Sequence, residues 1–139
     1  MKIVLDTNAL LISIPKKSKF RLIFDALINK TYTLIISNEI LTEYFEIIDQ
    51  KANYTVASNI IEMLLSLENV EKKEVYYKWD LIQIDKDDNK FIDCAIAGNA
   101  DFIVSNDHHF NVLRKISFPS ISVISINEFL DILKNEIQA

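Results

Sequence analysis

The segment Lys2-Ile3-Val4-Leu5-Asp6-Thr7-Asn8 is a short apolar run that stops at an aspartate, with polar residues directly beyond it. Such a run is too short for an amphipathic helix and reads as a buried strand of a parallel sheet, here Lys2–Asp6. Working outward, the same form recurs at Thr33–Ile36 (TLII), Leu81–Ile84 (LIQI), Phe102–Ser105 (FIVS) and Ile121–Ile126. Between these runs the apolar period lengthens to that of helices. Asn8–Ile14 is a short helix, and Phe20–Asn29 places Leu22, Ile23, Ala26 and Leu27 on one face. Ser37 has N-cap chemistry and opens a helix to about Gln50. Thr55–Leu67 carries Val56, Ile60, Ile61, Leu64 and Leu65 inward. Asp88–Asn99, His108–Leu113 and Asn127–Ile137 complete the helices, while Lys72–Tyr77 reads either as a charged edge strand or as a helix end. Strands alternating with helices imply βαβ units, right-handed crossovers and a parallel sheet covered on both faces. One α/β sandwich domain over residues 1–139 is expected.

Composition excludes several function classes. The chain has 139 residues, half of them hydrophobic, with 15 Lys+Arg against 20 Asp+Glu and a formal net charge of −5. That length supports a single core, and the apolar content is too high for disorder. Gly98 is the only glycine, so no P-loop, G-x-G-x-x-G loop or nucleophile elbow can be written. Cys94 is the only cysteine, which excludes an intrachain disulfide framework and a multi-Cys zinc site and suits a reducing cytosol. No run reaches the roughly 18 apolar residues of a membrane helix, and Asp6 and Asn8 interrupt the opening too soon for a signal peptide. A cytoplasmic protein without membrane association is expected. The acidic balance argues against gripping nucleic acid by bulk charge.

Ligands of open parallel sheets bind beyond the carboxyl ends of the strands. Asp6 ends the first strand and Asp107 lies just past FIVS, so both project at that edge whatever the strand order. Asp88 falls between the LIQI run and the next helix, at the same edge. Glu43, six residues after Ser37, sits in the second turn of the helix that follows TLII. Four acids from separate segments thus converge. Two carboxylates about 4 Å apart repel by roughly 1 kcal/mol in water and severalfold more near a protein surface. Shared protons or a cation must relieve this. All-oxygen ligation without a His/Cys cluster indicates a hard ion, Mg²⁺ or Mn²⁺. Such an ion acidifies a water and neutralises charge during in-line displacement, the chemistry of phosphodiester hydrolysis. Plainer readings stand beside this one. Asp6 and Asp107 can cap helices, Asp88 suits a helix N-terminus, and Glu43 shares a polar stripe with Glu39, Glu46 and Gln50.

Three segments in order resemble the PIN-domain family, in particular its branch of toxins from bacterial type II toxin–antitoxin systems. They are Val4-Leu5-Asp6-Thr7-Asn8, Ser37 to Glu43, and Asp85–Asp107 (DKDDNKFIDCAIAGNADFIVSND). The resemblance spans almost the whole chain. It implies a three-layer α/β sandwich with a central five-stranded parallel sheet, and an acidic pocket holding one or two Mg²⁺ or Mn²⁺ ions. It also implies ribonuclease activity on single-stranded RNA, a cognate antitoxin that blocks the pocket, and a homodimer. Asp6 matches the family's first acid, Glu43 the second and Asp107 the fourth. The third falls within Asp85–Asn89, where either Asp88 or Asn89 takes the metal-facing position and Asp93 is a poorer candidate. Thr7 and Asn8 resemble the polar pair that orients the first acid, and Ser105 stands where the family places a Thr or Ser against the cluster.

Lys16, Lys17, Lys19 and Arg21, with Phe20 among them, either track a phosphate backbone or form a solvated loop. Lys86 and Lys90 flank the third acid and either contact phosphate or offset local repulsion. His108 and His109 read as surface residues, and Cys94 and Trp79 as packing. The expected function is a metal-dependent endoribonuclease, with a non-catalytic PIN-like metal- or protein-binding adaptor as the alternative. A phosphoacceptor domain needs a lysine near the end of its last strand, and Ser122–Asn127 has none. A haloacid-dehalogenase-type phosphatase needs a second Asp where Asn8 stands. Without the four proposed ligands the net charge of −5 would be −1, so the acidity is largely local and does not itself oppose an RNA substrate.

Overall fold

A computed structural model of the chain describes residues 1–138. β1 (Lys2–Leu5) runs through the middle of a five-stranded, all-parallel sheet, between β2 (Thr33–Ile36) and β4 (Phe102–Val104). β3 (Val70–Lys72) lies outside β2 and β5 (Val123–Ile124) outside β4. The register sets Ile3 between Leu34 and Phe102, and Val104 beside Ile124. Ile3, Val4, Leu5, Leu34, Ile35, Ile36, Ile103 and Val104 are all buried, so consecutive residues pointing to opposite faces are covered alike. This is why the central strands read as unbroken apolar runs.

The chain winds outward from β1 to β2 and β3, then returns to the other side of β1 at β4 and β5. The reversal opens a crevice beyond the carboxyl ends of β1 and β4. Helices α1 (Thr7–Ser13), α2 (Arg21–Ile28), α3 (Asn38–Lys51), α4 (Tyr54–Ser66), α5 (Asn89–Ala97) and α6 (Ile126–Gln138) enclose the sheet. α6 begins at a Ser125 cap, whose Oγ accepts from Glu128 N–H (3.0 Å), and three others begin at side-chain caps too. Asp6 Oδ1 accepts from Ala9 N–H (2.7 Å), Ser37 Oγ from Ile40 N–H (3.3 Å), and Asn53 Oδ1 from Val56 N–H (2.8 Å). α5 packs on β1, β2 and β4, and Gly98 ends it where a Cβ would stand 2.5 Å from Ile35 Cγ2. The single glycine is therefore a close helix–strand approach. Among the described residues no helix is long and apolar enough to cross a membrane.

One expected strand is absent. Leu81–Ile84 lies in an irregular segment, and the fifth strand is β3, which docks on the edge of β2. There Leu34 N–H donates to Asn69 O (2.9 Å) and Lys73 N–H to Ile36 O (2.8 Å). Of the ambiguous Lys72–Tyr77 stretch, only Lys72 belongs to this strand. Ile82 is buried, which explains the apolar signal, but its backbone is paired by one side chain. Asn89 Oδ1 accepts from Ile82 N–H (2.8 Å) and Asn89 Nδ2 donates to Ile82 O (2.9 Å). A carboxamide supplies the donor and acceptor that a neighbouring strand would offer, and Gln83 and Ile84 remain exposed. The Ile121–Ile126 run likewise shortens to Val123–Ile124, because Ile126 already begins α6.

Candidate active site

β1 delivers Asp6 into the crevice, where it is 8% exposed. Its cap bond to Ala9 and a hydrogen bond from Ser105 fix the carboxylate. Burial pushes the Asp6 pKa above its ordinary value; Ser105 and Ala9 oppose the shift, and the charges of Asp107 and Asp88 add to it. Among the described residues no Lys, Arg or His forms a salt bridge with Asp6. β4 supplies the next pair. Asp107 N–H donates to Ser105 Oγ (2.9 Å), so Ser105 joins the acids that follow β1 and β4.

Asp107 Oδ1 accepts from His109 N–H (2.9 Å), which folds the His109 ring back over the crevice. His109 Nδ1 lies 3.0 Å from Asp88 Oδ2 and 3.4 Å from Asp107 Oδ1. Asp85, Asp88 and His109 offer ligand atoms within 4.8 Å of one another, as do Asp107, His108 and His109. Asp88 ends the 3-10 turn Lys86–Asp88 that leads into α5. Burial raises its pKa, His109 opposes the shift, and Asp107 and Asp85 add to it. The hydrogen bond to Asp88 raises the His109 pKa in turn, and the charge of Asp107 adds to that. The expectation that His109 is a plain surface residue is thus corrected: it bridges two of the proposed acids.

Asn89 is turned elsewhere. Its amide is occupied by Ile82 and by Asp80 Oδ1 (3.3 Å), whereas Asp88 Oδ2 meets the His109 ring beside Asp107. Asp93 accepts from Trp79 N–H (3.0 Å) and anchors the irregular segment. Glu43 leaves the exposed stripe of Glu39, Glu46 and Gln50 and turns inward on α3. One of its oxygens accepts from the Thr7 hydroxyl and the other lies 2.8 Å from Lys90 Nζ. Thr7 therefore meets the second acid, whereas the resemblance implies that it orients Asp6. Asn8 is exposed on α1 and lines an apolar groove with Leu11, Ile12 and Ile48.

The basic loop divides. Lys16, Lys17 and Lys19 are exposed, with Lys19 Nζ over the Phe20 ring at 4.9 Å. Arg21 is tied to the fold: Nε lies 2.9 Å from Asp25 Oδ1, another nitrogen donates to Ile14 O, and the guanidinium stacks 4.7 Å over Phe24. Sequence reasoning missed His109 and the Lys90–Glu43 pair. Only the two-residue spacing from Asp107, which allows the cap turn, pointed toward the histidine. As oxygen donors, Asp6, Asp88 and Asp107 suit a hard divalent ion while the His109 ring is engaged with Asp88, and the buried carboxylate of Asp6, with no cation among the described residues, is the feature such an ion would satisfy.

A PIN-domain profile matches residues 2–109 of the chain. No curated protein sequence matches it. Among solved structures, VapBC2 from Rickettsia felis, bound to a DNA fragment from their promoter, superposes with a TM-score of 0.63 at 20% identity, covering 90% of this chain and 98% of that one. VapBC-1 from nontypeable Haemophilus influenzae gives 0.60 at 16% identity, covering 91% and 99%. The sarcin-ricin loop cleaving toxin VapC20 of Mycobacterium tuberculosis gives 0.58 at 12% identity, covering 80% and 93%. At these identities the likeness is one of fold.

Proposed function

The chain belongs to the PIN-domain family, and from that premise we propose that it is a Mg²⁺- or Mn²⁺-dependent endoribonuclease acting on single-stranded RNA. The observation that carries this reading is Asp6, buried at the point where the sheet reverses, sharing its crevice with Asp88 and Asp107 and having no cationic partner among the described residues. Asp6, Asp88 and Asp107 would hold the ion, with Glu43 completing the acidic set beside Thr7. A bound hard ion acidifies a water and offsets charge on the phosphoryl oxygens. The protein's own part is to hold the acids still. The Ala9 N–H and Ser105 fix Asp6, Ser105 and the His109 N–H fix Asp107, and the His109 ring orients Asp88. Lys16, Lys17 and Lys19 are proposed to meet the RNA backbone, with Arg21 holding their loop in place.

The likeness to the two VapBC structures supports a toxin that pairs with a cognate antitoxin. Coverage of this pocket by the antitoxin, a homodimeric form and a cytoplasmic location are proposed with it, from the family resemblance alone. The test is cleavage of labelled single-stranded RNA with Mn²⁺ or Mg²⁺, run beside EDTA and an Asp6→Asn variant. Cleavage that needs the ion and is lost in the variant is expected; equal cleavage by the variant would sink the mechanism. The alternative, a non-catalytic adaptor, draws on the Lys90–Glu43 ion pair, which satisfies one acid without metal. A folded, ion-bound wild type that leaves RNA intact would favour it.

A further inference from the structure

Lys90 sits at the start of α5, two residues beyond Asp88, and its ammonium lies 2.8 Å from Glu43 Oε1. Both side chains are largely covered, at 14% and 22% exposure, so this is a built contact rather than a surface pair. The other Glu43 oxygen is taken by Thr7. Among the described residues, Glu43 alone of the four acids has a lysine or arginine partner; Asp88 and Asp107 meet only the His109 and His108 rings, and Asp6 meets no cation. The acidic set is thus divided: three carboxylates lack a permanent positive charge and the fourth carries one on a tether.

We propose that Lys90 is a positioning residue that stands in place of a second divalent ion, so that this centre holds one Mg²⁺ or Mn²⁺. The inference rests on the metal-dependent reading above. A two-ion centre sets its cations about 3.5–4 Å apart between shared carboxylates. With Asp6, Asp88 and Asp107 assigned to the first ion, Glu43 is the one of the four acids left for a second, and an ammonium already occupies its Oε1. A divalent ion entering there would have to expel Lys90 or accept a like charge at close range, where little water remains to screen it. A lysine suits the task as a compact point charge on a flexible stem, without the planar fork of arginine. The count of formal charges is equally near balance with one ion or two, so the preference for one rests on the ammonium already seated on Glu43.

The experiment is a Mn²⁺ titration of the full metal-free chain, following the free aquo ion by electron paramagnetic resonance, with circular dichroism to verify folding. Wild type is expected to bind one ion per chain, and Lys90→Arg, which keeps the charge, also one. Lys90→Gln is expected to bind two, and the Glu43→Gln/Lys90→Gln pair to return to one, placing the extra ion on Glu43. Lys90→Met, which keeps the stem, is run beside Lys90→Gln in case the latter fails to fold. Two ions in wild type, or one ion in a folded Lys90→Gln or Lys90→Met protein, overturns the proposal while leaving the metal-dependent reading intact. No bound ion in any of these proteins sinks the metal centre itself, and this inference with it.

Discussion

Asp6 shows how one residue serves fold and site together. One oxygen caps α1, as the plainer reading of the sequence expected, yet the carboxylate remains buried and, among the described residues, without a cation. Its pKa is raised from 3.8, so its contribution to metal-free stability is fully present below pH 3.8 and is lost as pH rises through the higher folded value. Asp6→Asn is therefore expected to melt above the metal-free wild type at neutral pH, with the gap closing toward pH 4. Thermal melts in EDTA across that range measure this, and a wild type that stays the more stable at pH 7 would contradict it. Asp107→Asn is expected to weaken Mn²⁺ binding by at least about 10–100-fold, since even outer partners of metal ligands carry that much. Calorimetric titration reads it directly. Asp88 and Asn89 show what a sequence hides at this scale. They are chemically similar neighbours, and only the turn into α5 sends one to the crevice and the other to Ile82.

The elements were legible wherever burial on both faces left an apolar signature, as in β1, β2 and β4. Leu81–Ile84 carried a similar signature without being a strand, because one buried residue, Ile82, needs apolar character whatever pairs its backbone. β3, reading Val70-Glu71-Lys72, gave little signal, since a half-exposed edge strand is defined by the open side of β2. The Asn89 clasp and the Gly98 approach hold α5, and with it Asp88 and Lys90, against the sheet. Asn89→Ala leaves the buried Ile82 groups without this partner and is expected to cost about 1–3 kcal/mol. Gly98→Ala forces Ile35 to shift and is expected to cost a similar amount, about 1–3 kcal/mol. Urea unfolding at pH 7 checks both, and an unchanged midpoint for either would show that the interaction does not hold α5 in place.

At the scale of the whole molecule, ion binding should appear as stability. An ion present at about 100 times its dissociation constant adds roughly 2.7 kcal/mol when it binds only the folded chain. Differential scanning calorimetry with rising Mn²⁺ should show the midpoint climbing in wild type and a much smaller climb in Asp107→Asn. With a net charge of −5 the chain has no bulk attraction for RNA, so its electrostatic grip is local. Replacing exposed Lys16, Lys17 and Lys19 with Gln should lower the slope of log affinity against log salt by about 0.7 for each phosphate that a lysine no longer neutralises. An unchanged slope in fluorescence anisotropy would make this a solvated loop. By itself the sequence determined the parallel α/β sandwich and the place of Asp6 and Asp107 at the strand ends, because covalent order and the burial of short apolar runs suffice for both. Only the tertiary structure decided that β3 replaces Leu81–Ile84, that His109 joins Asp88 to Asp107, and that Lys90 neutralises Glu43. Each of those depends on groups distant in the chain, Lys90 and Glu43 being 47 residues apart, and no local periodicity encodes which of several lysines reaches which acid.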